Sequence, residues 1–168
     1  MTRAKTTFSV EPLVGADAPA YNQFFRQATL EHPDTLRISP ADIAAAPFKT
    51  EHAEGTTFAA RDDAGRLLGV VTVEREAGRE KRRHVAWLLR MYVARSSSGQ
   101  GVGRALLRAA LTRARELPGV AKVNLTVAAH NGSAVGLYES EGFQTIAREP
   151  DAFRDSQPRA ELTMTLTL

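Results

Sequence analysis

The sequence predicts one mixed α+β domain, an α/β three-layer arrangement with seven strands, mostly antiparallel, and about four helices. Three observations carry that reading. Residues 56–61 and 67–74 are apolar runs on either side of Asp62-Asp63-Ala64-Gly65, the composition of an antiparallel hairpin turn. Val85–Val93, a Ser/Gly turn, an amphipathic helix and Val120–Ala128 succeed one another as strand, crossover and strand, so those two strands should lie parallel. At 168 residues the chain suits a single domain, 1–168, with a sizeable core.

Taken in order, Phe8–Leu13 reads as a short strand. Asp17 is placed to cap a helix with Pro19 in its first turn, where the missing N–H does no harm. Tyr21, Phe24, Phe25, Ala28 and His32 recur at helical spacing, and Pro33 ends the run. Glu31 and His32 read as solvated helix-end residues. Ser39-Pro40-Ala41-Asp42 opens a shorter helix that stops near Pro47. Glu74–Arg83 reads as a charged, solvated connection. Val85–Val93 is apolar on both faces except at Arg90, as a central strand should be. In the next helix Gly103, Leu106, Leu107, Ala110, Leu111, Ala114 and Leu117 share one arc, with Arg104, Arg108 and Arg115 opposite. Pro118-Gly119 ends it. Ser133–Glu141 forms the last helix, stopped by Gly142. Phe143–Glu149 and Arg159–Leu168 are the last two strands, with 151–158 a loop between them.

Composition excludes several classes. Twenty-two basic and nineteen acidic residues give a net charge of +3, scattered rather than gathered with aromatics, so no nucleic-acid partner is expected. The absence of cysteine removes disulfides, thiolate metal sites and a cysteine nucleophile, and no metal is expected. Met1-Thr2-Arg3-Ala4-Lys5 lacks an apolar leader core and no run approaches spanning length, so the expectation is a cytoplasmic protein with no membrane partner.

The stretch with chemical content runs from Met91 to Leu107. Gly99, Gly101 and Gly103 let the backbone turn tightly at a helix start, where free N–H groups and the helix dipole favour an anion. A glycine-rich loop that only reverses the chain has the same composition. The spacing is not a dinucleotide fingerprint, because Arg104 stands where the third glycine belongs, and Gly-Lys-Ser/Thr is absent. Instead Ser98-Gly99-Gln100-Gly101-Val102-Gly103, after Met91-Tyr92-Val93, resembles the acetyl-CoA loop of the GCN5-related N-acetyltransferases (GNAT), Arg/Gln-x-x-Gly-x-Gly/Ala, with Ser98 in place of the Arg or Gln. Asn131-x-x-Ala134-x-x-Leu137-Tyr138-Glu139-x-x-Gly142-Phe143 resembles a second signature of that family. The likeness covers roughly residues 56–168, and residues 1–55 match the family's variable substrate side. His84 before the strand and Glu161-Leu162-Thr163-Met164 near the end resemble a subgroup that also carries Tyr and Asp where Pro158 and Ala160 stand here.

The resemblance implies the rest. The two parallel strands would splay around the pantetheine arm of acetyl-CoA, with Met91, Tyr92 and Val93 along it. Ser98, Gly99 and the amides of Gln100, Gly101, Val102, Gly103 and Arg104 would hold the pyrophosphate, with a charge-assisted contact from the Arg104 side chain. Asn131 would cap the last helix or touch the pantetheine. A neutral amine would attack the thioester through a tetrahedral oxyanion, with a backbone N–H near Val93 as donor. Tyr138 is the candidate general acid for the departing thiolate, because a phenol can hydrogen-bond and protonate it; packed inward, it would serve only the apolar face. His84 is the candidate base, with bulk water or a residue of the first helix as alternatives. The function expected is acetyl transfer to a primary amine of a small molecule. A peptide or protein amine, or a silent acyl-CoA sensor, are the alternatives, and the final strand could pair or swap across a homodimer.

Overall fold

The computed structural model describes residues 7–168, so the leader reading of residues 1–5 lies outside the described residues. The sheet comprises β1 (Phe8–Pro12), β2 (Gly55–Asp62), β3 (Leu67–Arg75), β4 (Val85–Val93), β5 (Lys122–Ala128), β6 (Gln144–Arg154) and β7 (Pro158–Thr167). The helices are α1 (Ala18–Glu31), α2 (Pro40–Ala45), α3 (Val102–Glu116) and α4 (Gly132–Ser140). Strand order is β1-β2-β3-β4-β5-β7-β6, antiparallel at every pairing except β4–β5.

Each face of the sheet buries a separate cluster, which makes the three layers. Leu106, Leu107, Ala110, Leu111 and Ala114 of α3 pack on Val71, Val73, Val123 and Leu125. On the other face Tyr21, Phe25 and Ala28 of α1 and Ile43 of α2 pack on Ala59, Val70 and Tyr92. Close seating of α3 depends on Gly69. A methyl there would lie 2.8 Å from a Leu106 methyl and 3.0 Å from the Tyr92 carbonyl oxygen. The short α2 holds through a capping box, in which Ser39 N–H donates to Asp42 Oδ2 at 2.7 Å and Asp42 N–H to Ser39 Oγ at 3.3 Å.

Two distortions of β4 position the site. Its parallel pairing with β5 runs only through Val85↔Lys122, Ala86↔Val123 and Trp87↔Asn124, after which the strands part. Against β3, Val70 faces Tyr92 but Thr72 faces Leu89, so Arg90 and Met91 together oppose Val71 as a bulge. Arg90 there takes φ +52°, in the left-handed region.

Several local expectations need correction. Asp17 stands at the N-cap position of α1, but its side chain makes no capping bond to that helix. Its carboxylate accepts from Val14 N–H at 2.9 Å, closing a 3₁₀ turn over Gly15–Asp17, and pairs with Arg61 at 2.9 Å. The 74–83 segment is solvated over residues 77–81 and at Arg83, as expected, but β3 runs on to Arg75 and the ends of the segment are tied down. Arg75, buried, donates to Glu54 Oε1 (2.9 Å) and the Pro118 carbonyl (2.7 Å), and Glu76 receives Arg82 and Trp87 Nε1. Val120 precedes β5 in a turn that bonds back to the Leu117 carbonyl. Residues 151–158 are not a loop. β6 continues to Arg154 and pairs Phe153↔Arg159 and Arg154↔Pro158, leaving Asp155–Gln157 as the turn. β6 is an exposed edge strand, so its pairing needs backbone groups and no apolar pattern.

Candidate active site

The end of β4 leads through a 3₁₀ turn (Arg95–Ser97) into the glycines, Gly99 at φ +74° and Gly101 at φ +85°. Only glycine takes that conformation without strain, and a methyl at either position would meet nothing within 4 Å. The loop therefore faces open space. Gly101 is the N-cap of α3 and no side chain caps the helix. The first helical bond is Ala105 N–H to the Gly101 carbonyl, 3.0 Å, so the amides of 102–104 carry the partial positive charge of a fifteen-residue helix without intrahelical partners.

Beside this end lies a cleft of about 530 Å³, between the end of β4, the glycine loop with the start of α3, and α4. Met91, Tyr92, Val93, Ser98, Gly99, Gly101, Val102, Gly103, Arg104, Asn131 and Tyr138 all line it. Asn131 caps α4, its Oδ1 accepting from Ala134 N–H at 3.2 Å. Tyr138 is 6% exposed, lies edge-on to Phe143 with centroids 5.8 Å apart, and its hydroxyl has no hydrogen-bond partner among the described residues. Burial pushes that phenol well above its ordinary value, so it stays protonated at any physiological pH.

Three predicted residues are placed differently from the sequence reading. His84 is exposed at the far end of β4, about 30 Å along the strand from Val93 at roughly 3.3 Å per residue. Its carbonyl accepts from Ala121 N–H at 2.8 Å, and the ring is not brought to the cleft. The Arg104 guanidinium is taken by Glu141, which also binds Arg108 at 3.1 Å, leaving its backbone amide at the helix end. Gln100 does not line the cleft; its side-chain amide donates to the Ser96 carbonyl at 3.1 Å.

The cleft also has a wall that sequence reasoning missed. His32, Thr35 and Leu36 close it from the end of α1. Tyr92 Oη donates to Glu31 Oε2 at 2.6 Å, and Arg95 reaches the Glu31 carbonyl at 3.2 Å, so Glu31 ties α1 to β4 rather than standing in solvent. That bond holds the Glu31 carboxyl below its usual range, while burial raises the Tyr92 phenol. The helical spacing that put His32 on the α1 apolar face was the one available signal. The described residues contain no cluster of His, Cys, Asp and Glu able to hold a metal ion.

The family model for the acetyltransferase (GNAT) family matches residues 20–143. The chain belongs to the GNAT acetyltransferase family. A mycothiol acetyltransferase of Propionibacterium freudenreichii subsp. shermanii is 30% identical over 145 residues, covering 79% of this chain and 45% of that protein. The chain thus spans less than half the length of that curated relative. Among solved structures, a GCN5-related N-acetyltransferase from Kribbella flavida superposes with TM-score 0.78 at 27% identity, covering 96% of this chain and 98% of that one. A putative acetyltransferase of Salmonella typhimurium, solved with its cofactor acetyl-CoA, superposes with TM-score 0.76 at 18% identity over 95% and 93% of the two chains. The GNAT family uses acetyl-CoA, and the site suits such a co-substrate: unpaired helix-end amides, an open glycine cradle and a cleft within the ordinary ligand range of roughly 300–1,000 Å³.

Proposed function

We propose that this GNAT domain, residues 1–168 as one unit, transfers an acetyl group from acetyl-CoA to the primary amine of a small molecule. The observation that carries the reading is the conjunction of the uncapped α3 N-terminus with a neutral, unpartnered Tyr138 hydroxyl in the same cleft. The amides of Gly101–Arg104 hold the pyrophosphate, and the parted edges of β4 and β5 align the pantetheine as an added strand would. The thioester supplies the acetyl group. A backbone N–H near Val93 stabilises the negative charge that develops on its oxygen. Tyr138 gives its proton to the departing sulfur, a role that requires the phenol to be protonated beforehand.

With His84 at the far end of β4, the acceptor amine loses its proton to water or to a group on the α1 side. The test follows free thiol from acetyl-CoA against a panel of amino acids, polyamines, aminoglycosides and short peptides. Amine-dependent thiol release with a matching acetylated product supports the reading. Tight acetyl-CoA binding without such release refutes it in favour of a sensor.

A further inference from the structure

Arg90 is the residue of β4 that neither the apolar core nor the acetyl-CoA cleft explains. It sits in the bulge at φ +52°, a conformation unfavourable for a long side chain, three residues past the last β4–β5 pair. Its guanidinium lies 4.9 Å from the Phe48 ring centroid, and its Nε is fully buried without a hydrogen-bond partner. No carboxylate of the described residues pairs with it within 4 Å. Glu74, whose charge acts on the same neighbourhood, is already bound to His52 Nδ1 at 2.8 Å. Beside the guanidinium lies the buried Tyr21 Oη, which meets no partner in good hydrogen-bond geometry and has Thr72 and Arg90 itself as its polar neighbours. A half-buried guanidinium with a buried, unbonded Nε and no direct ion pair is suited to an oxygen-bearing partner.

The surroundings hold this arrangement rigidly. Phe48 is pinned to α1 through Asn22, which accepts from Phe48 N–H at 2.7 Å and donates to the Phe48 carbonyl at 2.8 Å. A leucine or methionine would fill the same space under Phe48 without the charge, so packing alone does not account for an arginine here. The bulge also breaks strand alternation. Ala86 and Leu88 pack toward the α3 cluster and so, three residues on from Leu88, does Met91, followed by Val93, while Tyr92 packs beneath α1 and Arg90 faces Tyr21 and Phe48 on that same side.

We propose that Arg90 recognises an anionic group of the acceptor, so that the amines acetylated here are small molecules that also carry a carboxylate or comparable oxyanion. The inference rests on the acetyl-transfer reading above and names its substrate class. In the bound state the carboxylate accepts from the Arg90 guanidinium, while the amine of the same molecule lies toward the opening between β4 and β5.

The test compares the L-amino acids with their carboxamides as acceptors, for wild type, Arg90→Gln and Arg90→Lys. Wild type should prefer the acids by about 10- to 100-fold in kcat/KM, mostly through KM, with Arg90→Gln erasing the preference and Arg90→Lys keeping part of it. Equal use of acid and amide, or turnover of neutral amines only, overturns the proposal. A second measurement does not depend on turnover. Preferred acids should raise the melting temperature of the acetyl-CoA complex of wild type and Arg90→Lys, but not of Arg90→Gln. A shift that survives in Arg90→Gln, or the absence of one in wild type, overturns the Arg90 site. Absence of acetyl transfer to every amine, with the acid-dependent shift intact, refutes the enzymatic reading while upholding the anion site.

Discussion

Tyr138→Phe separates a chemical role from a packing role because the structure gives the hydroxyl no protein partner. The phenol ring makes the apolar contacts, with Phe143 and the α3 cluster, and phenylalanine preserves them. Removing a hydroxyl that opens on the cleft without a protein partner breaks no hydrogen bond within the protein, so stability should change by less than about 1 kcal/mol in either direction. Loss of a positioned general acid costs about 10²- to 10⁴-fold in rate, or about 2.7–5.4 kcal/mol at 1.36 kcal/mol per decade. Thiol release at saturating acetyl-CoA gives the rate, and urea unfolding of the same preparations gives the stability. The expected pattern is a kcat reduced at least a hundredfold, with an unchanged unfolding midpoint and an unchanged Kd for acetyl-CoA. A variant within about threefold of wild type would refute the acid assignment and leave Tyr138 as a core residue. So would a rate loss matched by a large loss of stability.

Other perturbations probe the scaffold around that cleft. Gly101→Ala keeps an open space but forces a left-handed alanine, at about 1–2 kcal/mol, so Tm should fall by roughly 2–8 °C and acetyl-CoA should bind more weakly; an unchanged Kd would remove the loop from the phosphate site. Arg75→Met strips the donors from the Pro118 and Arg83 carbonyls and should cost about 2–4 kcal/mol in urea unfolding, with the acetyl-CoA Kd unaffected; a cost under about 1 kcal/mol would show those contacts to be dispensable. Glu76 is depressed to about 2, first by its hydrogen bonds from Arg82 and then by Trp87. Its folded value lies below its unfolded one, so its contribution is present above about pH 4.5 and lost as pH falls toward 2. The unfolding midpoint should drop across that window, less steeply in Arg82→Gln; identical slopes would refute the linkage.

What could be read from the chain follows from how locally each feature is specified. The α3 stripe, the hairpin turn and the strand–helix–strand order are periodic or adjacent in sequence, and the structure holds them close to the expected boundaries. Both strands of the β6–β7 hairpin were legible, but its outer end, from Pro150 to Pro158, was opaque because Asp151, Asp155 and Gln157 carry no alternation, and an exposed edge pairing asks only for backbone groups. The bulge was equally silent. Nothing in Leu89-Arg90-Met91 announces a left-handed residue, and the conformation arises where the register against β3 slips. In the site, residues contiguous with the glycine loop and with Asn131 were legible, whereas His32, Thr35 and Leu36 arrive from another part of the chain with no motif. His84 illustrates the converse. The sequence puts it just before β4, at the strand's N-terminal end, and the structure places the cleft at the opposite, carboxyl ends, where parallel strands open onto ligands.

The two distortions of β4 therefore act together. Had β4 and β5 stayed in parallel register beyond Trp87, their facing backbone groups would have paired with each other and left no gap. Because the pairing stops there, the later edges of both strands present donors and acceptors to a third extended chain, which the amide-bearing arm of acetyl-CoA can satisfy. The bulge at Arg90 and Met91 then divides the side chains. Met91 and Val93 turn toward the α3 side, where the glycine loop faces open space, and Arg90 turns toward α1, where no carboxylate of the described residues lies within ion-pair distance of it. An acyl donor entering along one face and an anionic acceptor approaching from the other would meet in the opening between the strands. The thioester and the amine need be adjacent nowhere else. On the proposed acetyl-transfer reading, a single extra residue in one strand, costly by itself, thus sets both the position of the transfer and the charge of the molecule that receives it.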